Sequence, residues 1–339
     1  MSEALELTPR DAWNHALLES AHPPGWQNPQ PAARYDLVVL GGGTAGLVSA
    51  IVSVGLGARV ALVEQALLGG DCLNTGCVPS KTLIRSARAA ADARAATQLG
   101  VRAGAVEVDF VAVMERVRRV RAEIAPHDSA QRFAGLGVDV FLGHGRFTGP
   151  DALEVGGATL RFKRAVIATG GRPAPPPIPG LADAAAKLVV RNAFFFGRRR
   201  AADLIIPWCT YTDPEVAHVG LSAREAEARR IAIDTFQAPL AANDRARADG
   251  DGEGFLKVHV KKGSDRIAGA TLVARHAGEG IAPIAMAMAG GIGLGRLVDL
   301  ILPYPTQTEL VKNVAGAYTR TRLTPFAARV LRALIRLAR

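Results

Sequence analysis

The stretch YDLVVLGGGTAGLVSAIVSVGLGARVALVEQ, residues 35–65, decides the fold of the first part of the chain. Residues 35–40 are an apolar run typical of a buried strand, and a glycine-rich turn follows at residues 41–46. Residues 47–56 have the composition of an apolar helix, and residues 59–63 form a second apolar run. Strand, turn, helix and strand in this order predict a βαβ unit, which is the building block of a parallel α/β sheet.

The glycines of this turn have the spacing of a dinucleotide-binding loop. Gly41, Gly43 and Gly46 match G-x-G-x-x-G, in which the first glycine allows a tight turn and the second lets the backbone approach a pyrophosphate. The third lets the helix pack on the strand, with the anion at the helix N-terminus. Glu64 follows the second run, where a carboxylate can bind a ribose hydroxyl. The pattern therefore predicts a dinucleotide-binding fold rather than a plain glycine-rich turn.

No second stretch of the sequence matches this fingerprint. The nearest candidate is GGIGLG at residues 290–295, which follows an apolar helix rather than a strand and lacks the required spacing. It is typical of a helix end and a turn.

Composition and charge favour an ordinary globular protein. The 339 residues suffice for two or three domains, and 49% of them are apolar. The net charge of +10 comes mostly from the C-terminal region, and the other arginine-rich stretches lack the interleaved aromatics of a nucleic-acid surface. Residues 1–20 predict neither a signal nor a transit peptide, and no run of 18 apolar residues predicts a membrane span. A cytoplasmic protein without a nucleic-acid partner is expected.

Two of the three cysteines lie close together in GGDCLNTGCVPSK, residues 69–81. A metal site is not favoured, because zinc takes about four ligands and no further Cys or His lies nearby. A structural disulfide is not favoured either, because the cytosol keeps thiols reduced. Pro79 suits the first turn of a helix, so Cys77 is expected near a helix N-terminus, where the dipole and Lys81 favour a reactive thiolate. Cys72 and Cys77 are therefore predicted to be a redox-active dithiol.

The rest of the chain is divided by its turn signals. Helices are predicted at residues 80–97 and 108–136, a β-meander at residues 138–171, a helix at residues 182–195, a hairpin at residues 255–276 and an apolar helix at residues 277–291. The predicted segments are an N-terminal extension (1–34) that ends in a loop, a first domain (35–181), a helix and junction (182–202), a second domain (203–323) and a basic amphipathic tail (324–339).

These motifs resemble the class I pyridine nucleotide-disulfide oxidoreductases, which include dihydrolipoamide dehydrogenase, glutathione reductase and mercuric reductase. The resemblance is carried by the dithiol motif, by AVIATGGRPAPPPIPGL at residues 165–181, by YTDPEVAHVGLS at residues 211–222 and by YPTQTE at residues 304–309. It implies a Rossmann-like FAD-binding domain, with a parallel sheet and a β-meander, followed by an α+β dimerisation domain in a homodimer. The mercuric reductase branch is the most similar.

The resemblance also implies roles for individual residues. Cys77 would be the thiolate against the flavin, Cys72 the interchange thiol facing the substrate, and Lys81 a positive group beside the flavin. Electrons would pass from NAD(P)H to the flavin, then to the disulfide formed by this pair, and finally to a small-molecule disulfide or a soft-metal acceptor. The residues implied to hold FAD are Gly41, Gly43, Thr44, Ala45, Gly46, Glu64, Lys81, Gly145, Ala168, Thr169 and Gly170.

The chain departs from the family pattern in two places. Between residues 181 and 182 the family has a complete NAD(P)H-binding domain and then a strand ending in Gly-Asp, and both are missing here. The NAD(P)H site is therefore expected to be absent and the FAD site incomplete. Tyr304 and Glu309 occupy the positions of the catalytic His–Glu pair, and a phenol is a poor base at neutral pH. The tail also lacks the additional cysteine pair of mercuric reductases.

Three hypotheses therefore remain open from the sequence. The chain is an FAD-dependent disulfide or metal oxidoreductase, or a truncated and inactive relative that acts as a dimerisation partner, or a thiol module that binds soft metals without electron transfer. No resident metal is expected, because the scattered histidines lack ligand spacing. The tail could contact an anionic membrane surface, although a solvated helix face is favoured.

Overall fold

The computed structural model describes residues 6–171, 181–195, 197, 198, 200–324 and 329. The described residues form two compact units, one with residues up to 171 and residues 182–202, and one with Leu181 and the described residues from Asp203 onward. The proline-rich stretch at residues 172–180 lies outside the described residues, as does the predicted tail apart from residues 324 and 329.

The first unit contains seven strands and seven helices among its described residues. The strands are β1 (Leu37–Leu40), β2 (Val60–Glu64), β3 (Val138–Leu142), β4 (Gly145–Gly149), β5 (Ala152–Val155), β6 (Ala158–Arg161) and β7 (Ala165–Ile167). The helices are α1 (Ala12–Ala21), α2 (Thr44–Gly55), α3 (Gly70–Asn74), α4 (Cys77–Ala95), α5 (Phe110–Ile124), α6 (Ala130–Gly135) and α7 (Leu181–Phe194).

A parallel sheet in the order β3-β2-β1-β7 forms the centre of this unit. Its inner strands β1 and β2 are almost continuous apolar runs, as expected for parallel strands covered on both faces. Val39 pairs with Leu62 on one side and with Val166 on the other. The predicted βαβ unit is confirmed, although α2 begins at Thr44, inside the predicted turn.

The predicted β-meander is correct only in its middle part. Strands β4, β5 and β6 form an antiparallel sheet, whereas β3 and β7 pair in parallel with β2 and β1. Strand β3 pairs with the free edge of β2, and β7 pairs with the free edge of β1, so both join the buried parallel sheet. Among the described residues β7 has β1 as its only strand neighbour, and Ile167 on this edge is 69% exposed.

The N-terminal extension is part of the first unit. Residues 22–34 have no regular secondary structure, as predicted, but they follow a helix that was not predicted. Asp11 caps α1, and Leu17 and Ala21 are fully buried in the core. The Trp26 indole donates a hydrogen bond of 3.1 Å to the carbonyl of Val140 in β3.

The predicted helix at residues 108–136 is divided by a turn. Helix α5 ends at Ile124, the turn Ala125–Asp128 follows, and α6 begins at Ala130 with Ser129 as its N-cap. Pro126 is at the start of this turn and cannot continue the hydrogen bonding of α5. The helix predicted at residues 182–195 is confirmed as α7, which buries Ala186 and Val190.

The second unit is built on a five-stranded antiparallel sheet in the order β10-β11-β12-β9-β8. Its strands are β8 (Trp208–Thr210), β9 (Glu215–Gly220), β10 (Ile233–Pro239), β11 (Phe255–Lys261) and β12 (Ile267–Ala274). Its helices are α8 (Ala223–Ala228), α9 (Asp244–Asp249), α10 (Ala277–Gly280), α11 (Ala282–Ala289) and α12 (Leu310–Arg322). The predicted hairpin is confirmed as β11 and β12, and Gly290 and Gly291 end α11.

The core of the second unit lies between the sheet and α12. Leu310, Val311 and Val314 of this helix are buried against sheet residues such as Val258 and Ala270. In the described residues of both units, none of the helices has the length and apolar character needed to cross a bilayer.

A buried histidine on this sheet is expected to make the second unit sensitive to acid. His259 is 3% exposed and shares a hydrogen bond of 2.8 Å with the Thr235 hydroxyl. Burial, Lys257 and His218 lower the pKa of His259, whereas the unfolded chain takes up the proton at a pH of about 6.5. The unfolded state thus binds more protons below this pH, and the free energy of unfolding should fall as the pH decreases.

Urea unfolding on both sides of this pH tests the expectation. His259→Gln should weaken the pH dependence, because it removes the titrating group. His276→Gln is the matched control, since His276 is exposed in the same unit, and it should leave the dependence unchanged. An identical pH dependence in His259→Gln and the parent protein would contradict the assignment.

Candidate active site

The glycine loop between β1 and α2 is closed by its own backbone. Gly41 has a φ of +108°, and a Cβ added there would lie 2.2 Å from the carbonyl oxygen of Ala168. A Cβ added at Gly46 would lie 1.8 Å from the carbonyl oxygen of Gly41. Both positions therefore require glycine for steric reasons.

The N-terminus of α2 is open to an anion. Gly43 is the N-cap and supplies no side chain to cap the helix, while Thr44 is exposed and Ala45 is half-buried in the first turn. The amides of this turn are the groups that bind a pyrophosphate in dinucleotide-binding proteins. The loop and helix therefore fit the pyrophosphate of a dinucleotide such as FAD.

Glu64 lies beside the same loop. Its carboxylate accepts hydrogen bonds from the amides of Gly42, at 2.5 Å, and Ala66, at 2.7 Å. These two bonds hold the carboxylate at the end of β2, next to the glycine loop. The predicted contact with a ribose hydroxyl remains a prediction.

The predicted residues after β7 are brought to the glycine loop. The Ala168 amide donates to the Leu40 carbonyl at 2.7 Å, and the backbone of Ala168 and Thr169 lies against Gly41. Gly170 is exposed, with a φ of +78°. Gly145 begins β4, where an added Cβ would lie 2.7 Å from Leu40, so this glycine serves the packing between sheets. Its implied contact with the adenine remains a prediction.

The two thiols are adjacent and reduced. Cys72 lies in α3, and Cys77 is the first residue of the 19-residue helix α4, as the proline signal predicted. Neither forms a disulfide, so the predicted disulfide bond is not present and the pair is a dithiol. Cys72 is half-buried and hydrogen-bonded to Cys77, which is exposed.

Burial and two neighbouring groups control the ionisation of Cys72. Burial, the interaction with Cys77 and the charge of Asp128 together raise the pKa of Cys72 to about 12, while Lys81 opposes the shift. Lys81 is exposed on α4 and its charge acts on the Cys72 thiol. Asp128 was not predicted from the sequence, because no motif connects the turn before α6 with the cysteines.

A contact between two glycines joins the dithiol to the nucleotide loop. Gly70 is the first residue of α3 and has a φ of +56°. A Cβ added at Gly70 would lie 2.7 Å from the Cα of Gly43. The Asn74 amide group also donates to the carbonyls of Leu68, at 3.1 Å, and Gly70, at 2.9 Å, which fixes the short helix that carries Cys72.

In the second unit, Tyr304 and Glu309, which were predicted to act as a pair, each form a hydrogen bond with a different residue. The Tyr304 hydroxyl donates to the Asp244 carboxylate at 3.2 Å, and the side chain is 72% exposed. The Glu309 carboxylate accepts from the Thr306 amide at 3.3 Å, and no hydrogen bond between Tyr304 and Glu309 is formed in this described part of the chain. Asp244, a residue that the sequence did not single out, raises the pKa of Tyr304, and Glu309 adds to the effect. Its raised pKa keeps the phenol protonated at neutral pH, so it is not available as a base there.

Within the residues that the structure describes, no group of three or more His, Cys, Asp and Glu side chains is arranged to hold a metal ion.

The chain matches two family descriptions. Residues 35–198 match "Pyridine nucleotide-disulphide oxidoreductase", and residues 206–315 match "Pyridine nucleotide-disulphide oxidoreductase, dimerisation domain". Mercuric reductase from Serratia marcescens is 30% identical over 356 residues, which cover 84% of this chain and 76% of the relative. Dihydrolipoyl dehydrogenase from Bacillus subtilis is 39% identical over 155 residues, which cover 42% of this chain and 32% of the relative.

Two solved structures have the same fold. The HOCl-induced flavoprotein disulfide reductase RclA from Escherichia coli matches with a TM-score of 0.68 and 18% identity, over 83% of this chain and 99% of that one. LpdA from Mycobacterium tuberculosis matches with a TM-score of 0.70 and 17% identity, over 85% of this chain and 100% of that one.

Gly46→Ala is expected to close the nucleotide loop. Since the new Cβ would overlap the Gly41 carbonyl oxygen, we expect a loss of more than about 2 kcal/mol in the free energy of unfolding and loss of FAD retention. Gly55→Ala in the same helix is the control, because an added Cβ there meets nothing within 4 Å. It should gain up to about 1 kcal/mol and leave FAD retention unchanged. Urea unfolding and the flavin content of the purified protein measure both effects, and equal stability of the two variants would contradict the steric argument.

Proposed function

Because the chain belongs to the class I pyridine nucleotide-disulfide oxidoreductase family, we propose that it is an FAD-dependent oxidoreductase that delivers two electrons through Cys72 and Cys77. The acceptor in this proposal is a small-molecule disulfide or a soft-metal ion. The observation that carries the proposal is the contact between Gly43 and Gly70, since it sets the helix with Cys72 against the loop suited to a pyrophosphate.

The residues that would hold FAD surround this contact. The loop residues Gly41, Gly43, Thr44, Ala45 and Gly46 would bind the pyrophosphate through the N-terminus of α2. Bound FAD would supply the two-electron chemistry.

Other residues would contact the adenosine and flavin parts of FAD. In the proposal, Glu64 binds the adenosine ribose, Gly145 approaches the adenine, and Lys81 lies beside the flavin. Ala168, Thr169 and Gly170 border the loop from the end of β7.

The dithiol would work with an uneven distribution of charge. Cys77 begins α4, where the helix dipole stabilises a thiolate. Cys72 retains its proton, because its pKa is raised. Oxidation of the pair to a disulfide would release the two electrons that the acceptor takes up.

The acceptor class is supported from two directions. Similarity to a mercuric reductase supports a soft metal, and the thiol pair by itself suits either a metal or a disulfide. Tyr304 stays protonated at neutral pH because its pKa is raised, so it would donate a hydrogen bond rather than act as a base. Glu309 would lie in the same loop region, where its carboxylate accepts a hydrogen bond from the Thr306 amide.

The electron donor is proposed to differ from that of the family. The sequence contains one dinucleotide fingerprint, in the loop assigned here to FAD, and no second one for NAD(P)H. We therefore propose that electrons arrive from another reductant. If FAD is not retained, the alternative is an inactive relative that acts as a dimerisation partner.

A homodimer in the cytoplasm is part of the proposal. It is supported by the match to the dimerisation domain and by exposed apolar side chains on the second unit, where Ile301 is 97% exposed and Met286 65%. A cytoplasmic location would keep the exposed Cys77 reduced.

The visible absorption spectrum of the purified protein tests the proposal. We expect a flavin band that dithionite bleaches under anaerobic conditions and NADPH does not. A small-molecule disulfide should then restore the band in the native protein but not in Cys72→Ser, because that variant lacks the interchange thiol.

Each other outcome contradicts a definite part of the proposal. A protein that cannot retain FAD after reconstitution is not an FAD-dependent enzyme and fits the inactive relative. Bleaching by NADPH would show that a donor site exists and would overturn the proposed donor. Sedimentation equilibrium on the same sample should give a dimer, and a monomer would contradict the homodimer.

A further inference from the structure

The helix of the N-terminal extension ends against the loop that follows β2. His22, the residue after α1, donates a hydrogen bond of 2.5 Å from its ring Nδ1 to the carbonyl of Ala66. Nδ1 carries the hydrogen in this bond, because a carbonyl oxygen can only accept. The Leu68 amide donates to the carbonyl of Ala21, the last residue of α1, at 3.1 Å. Two hydrogen bonds therefore join the end of this helix to residues 66–68.

The same loop holds the carboxylate at the end of β2. The Ala66 amide donates to Glu64 Oε1 at 2.7 Å, and the Gly42 amide donates to Glu64 Oε2 at 2.5 Å. Ala66 thus binds the histidine ring through its carbonyl and the carboxylate through its amide. His22, Ala66 and Glu64 form a continuous chain of hydrogen bonds, which ends at the glycine loop.

Close packing between this loop and the glycine loop restricts the carboxylate further. A Cβ added at Gly42 would collide with the Leu68 side chain and lie 3.2 Å from Glu64 Oε2. Leu68 is fully buried, and the Gly69 amide donates to the Gly42 carbonyl at 2.9 Å. Glu64 itself is only half-buried, and each of its two oxygens can accept a second hydrogen bond. The carboxylate is thus fixed by the protein and still has acceptor capacity for a ligand.

We propose that His22 is a positioning residue for the adenosine ribose of the cofactor. It holds Ala66, and through Ala66 it orients the Glu64 carboxylate that would bind a ribose hydroxyl. The inference rests on the proposed function in assigning Glu64 to the ribose of FAD. Fixing the carboxylate before the ligand arrives reduces the cost of ordering it on binding. The N-terminal extension is then part of the cofactor site, although it lies outside the dinucleotide fingerprint.

A purely structural role of His22 would have different consequences. If the ring only attached α1 to the first unit, its loss would weaken every part of the nucleotide site alike. A positioning residue acts on the ribose hydroxyls through Glu64, and it leaves the pyrophosphate contact at the N-terminus of α2 unchanged. ADP and 2′,3′-dideoxy-ADP separate the two roles, because they differ only in the ribose hydroxyls.

The test measures the affinity of the full-length protein, freed of any bound flavin, for each of these two nucleotides by isothermal titration calorimetry. The parent protein should bind ADP more tightly than 2′,3′-dideoxy-ADP. His22→Phe keeps an aromatic ring but has no N–H donor, so its affinity for ADP should fall about fivefold or more. Its affinity for 2′,3′-dideoxy-ADP should remain that of the parent.

Matched variants separate the hydrogen bond from the packing. His15→Phe makes the same substitution at an exposed position of α1 and should leave both affinities unchanged. His22→Asn retains an N–H donor close to the position of Nδ1 and should keep most of the preference for ADP. In a Glu64→Gln background, His22→Phe should cause no further loss of this preference, because the carboxylate through which it acts is absent. If His22→Phe does not fold, His22→Ala removes the same donor and is expected to lose the same preference.

An unchanged preference for ADP in the folded His22 variants that lack the donor, or an equal loss of affinity for both nucleotides, would overturn the proposal. A parent protein that binds ADP no more tightly than its dideoxy form would overturn it as well. The measurement needs neither flavin nor an electron acceptor. Failure of the proposed function would appear in the absorption spectrum, while failure of this inference would appear only in the nucleotide affinities.

Discussion

The close approach of Gly43 and Gly70 is the contact on which the chemistry of the first unit depends. A Cβ on Gly70 would come within 2.7 Å of the Gly43 Cα, so the two backbones can meet only because Gly70 lacks a side chain. This contact fixes α3 against the turn between β1 and α2. The thiol of Cys72 and the N-terminus of α2 are thus held in one rigid neighbourhood, and the Gly41–Gly46 packing keeps that turn closed.

The first unit has a core built from its own strands and helices. Its buried residues come from β1, β2, β3 and the helices packed on them, including α1 of the N-terminal extension. These contacts do not involve a further strand beyond β7, where Ile167 lies on an open edge of the described sheet.

The two sets of predicted catalytic side chains are held in different ways. The Cys72 thiol is half-buried, so the charges of Asp128 and Lys81 act on it through a medium that screens them weakly. Tyr304 is largely exposed and has a single hydrogen-bond partner, Asp244, in the described part of the second unit. Protonation at the dithiol is accordingly determined by the fold, whereas the phenol remains accessible to solvent.

The sequence by itself determined the βαβ unit, the glycine loop, the position of Cys77 at a helix N-terminus, the β11–β12 hairpin and the family. Each of these follows from residues within about one element of each other, where periodicity, turn residues and motif spacing act directly. Only the tertiary structure decided the parallel pairing of β3 and β7, the packing of α1, and the placement of Asp128 beside Cys72 and Asp244 beside Tyr304. These depend on contacts between residues far apart along the chain. A local sequence pattern does not indicate which distant side chain will lie next to it in the folded protein.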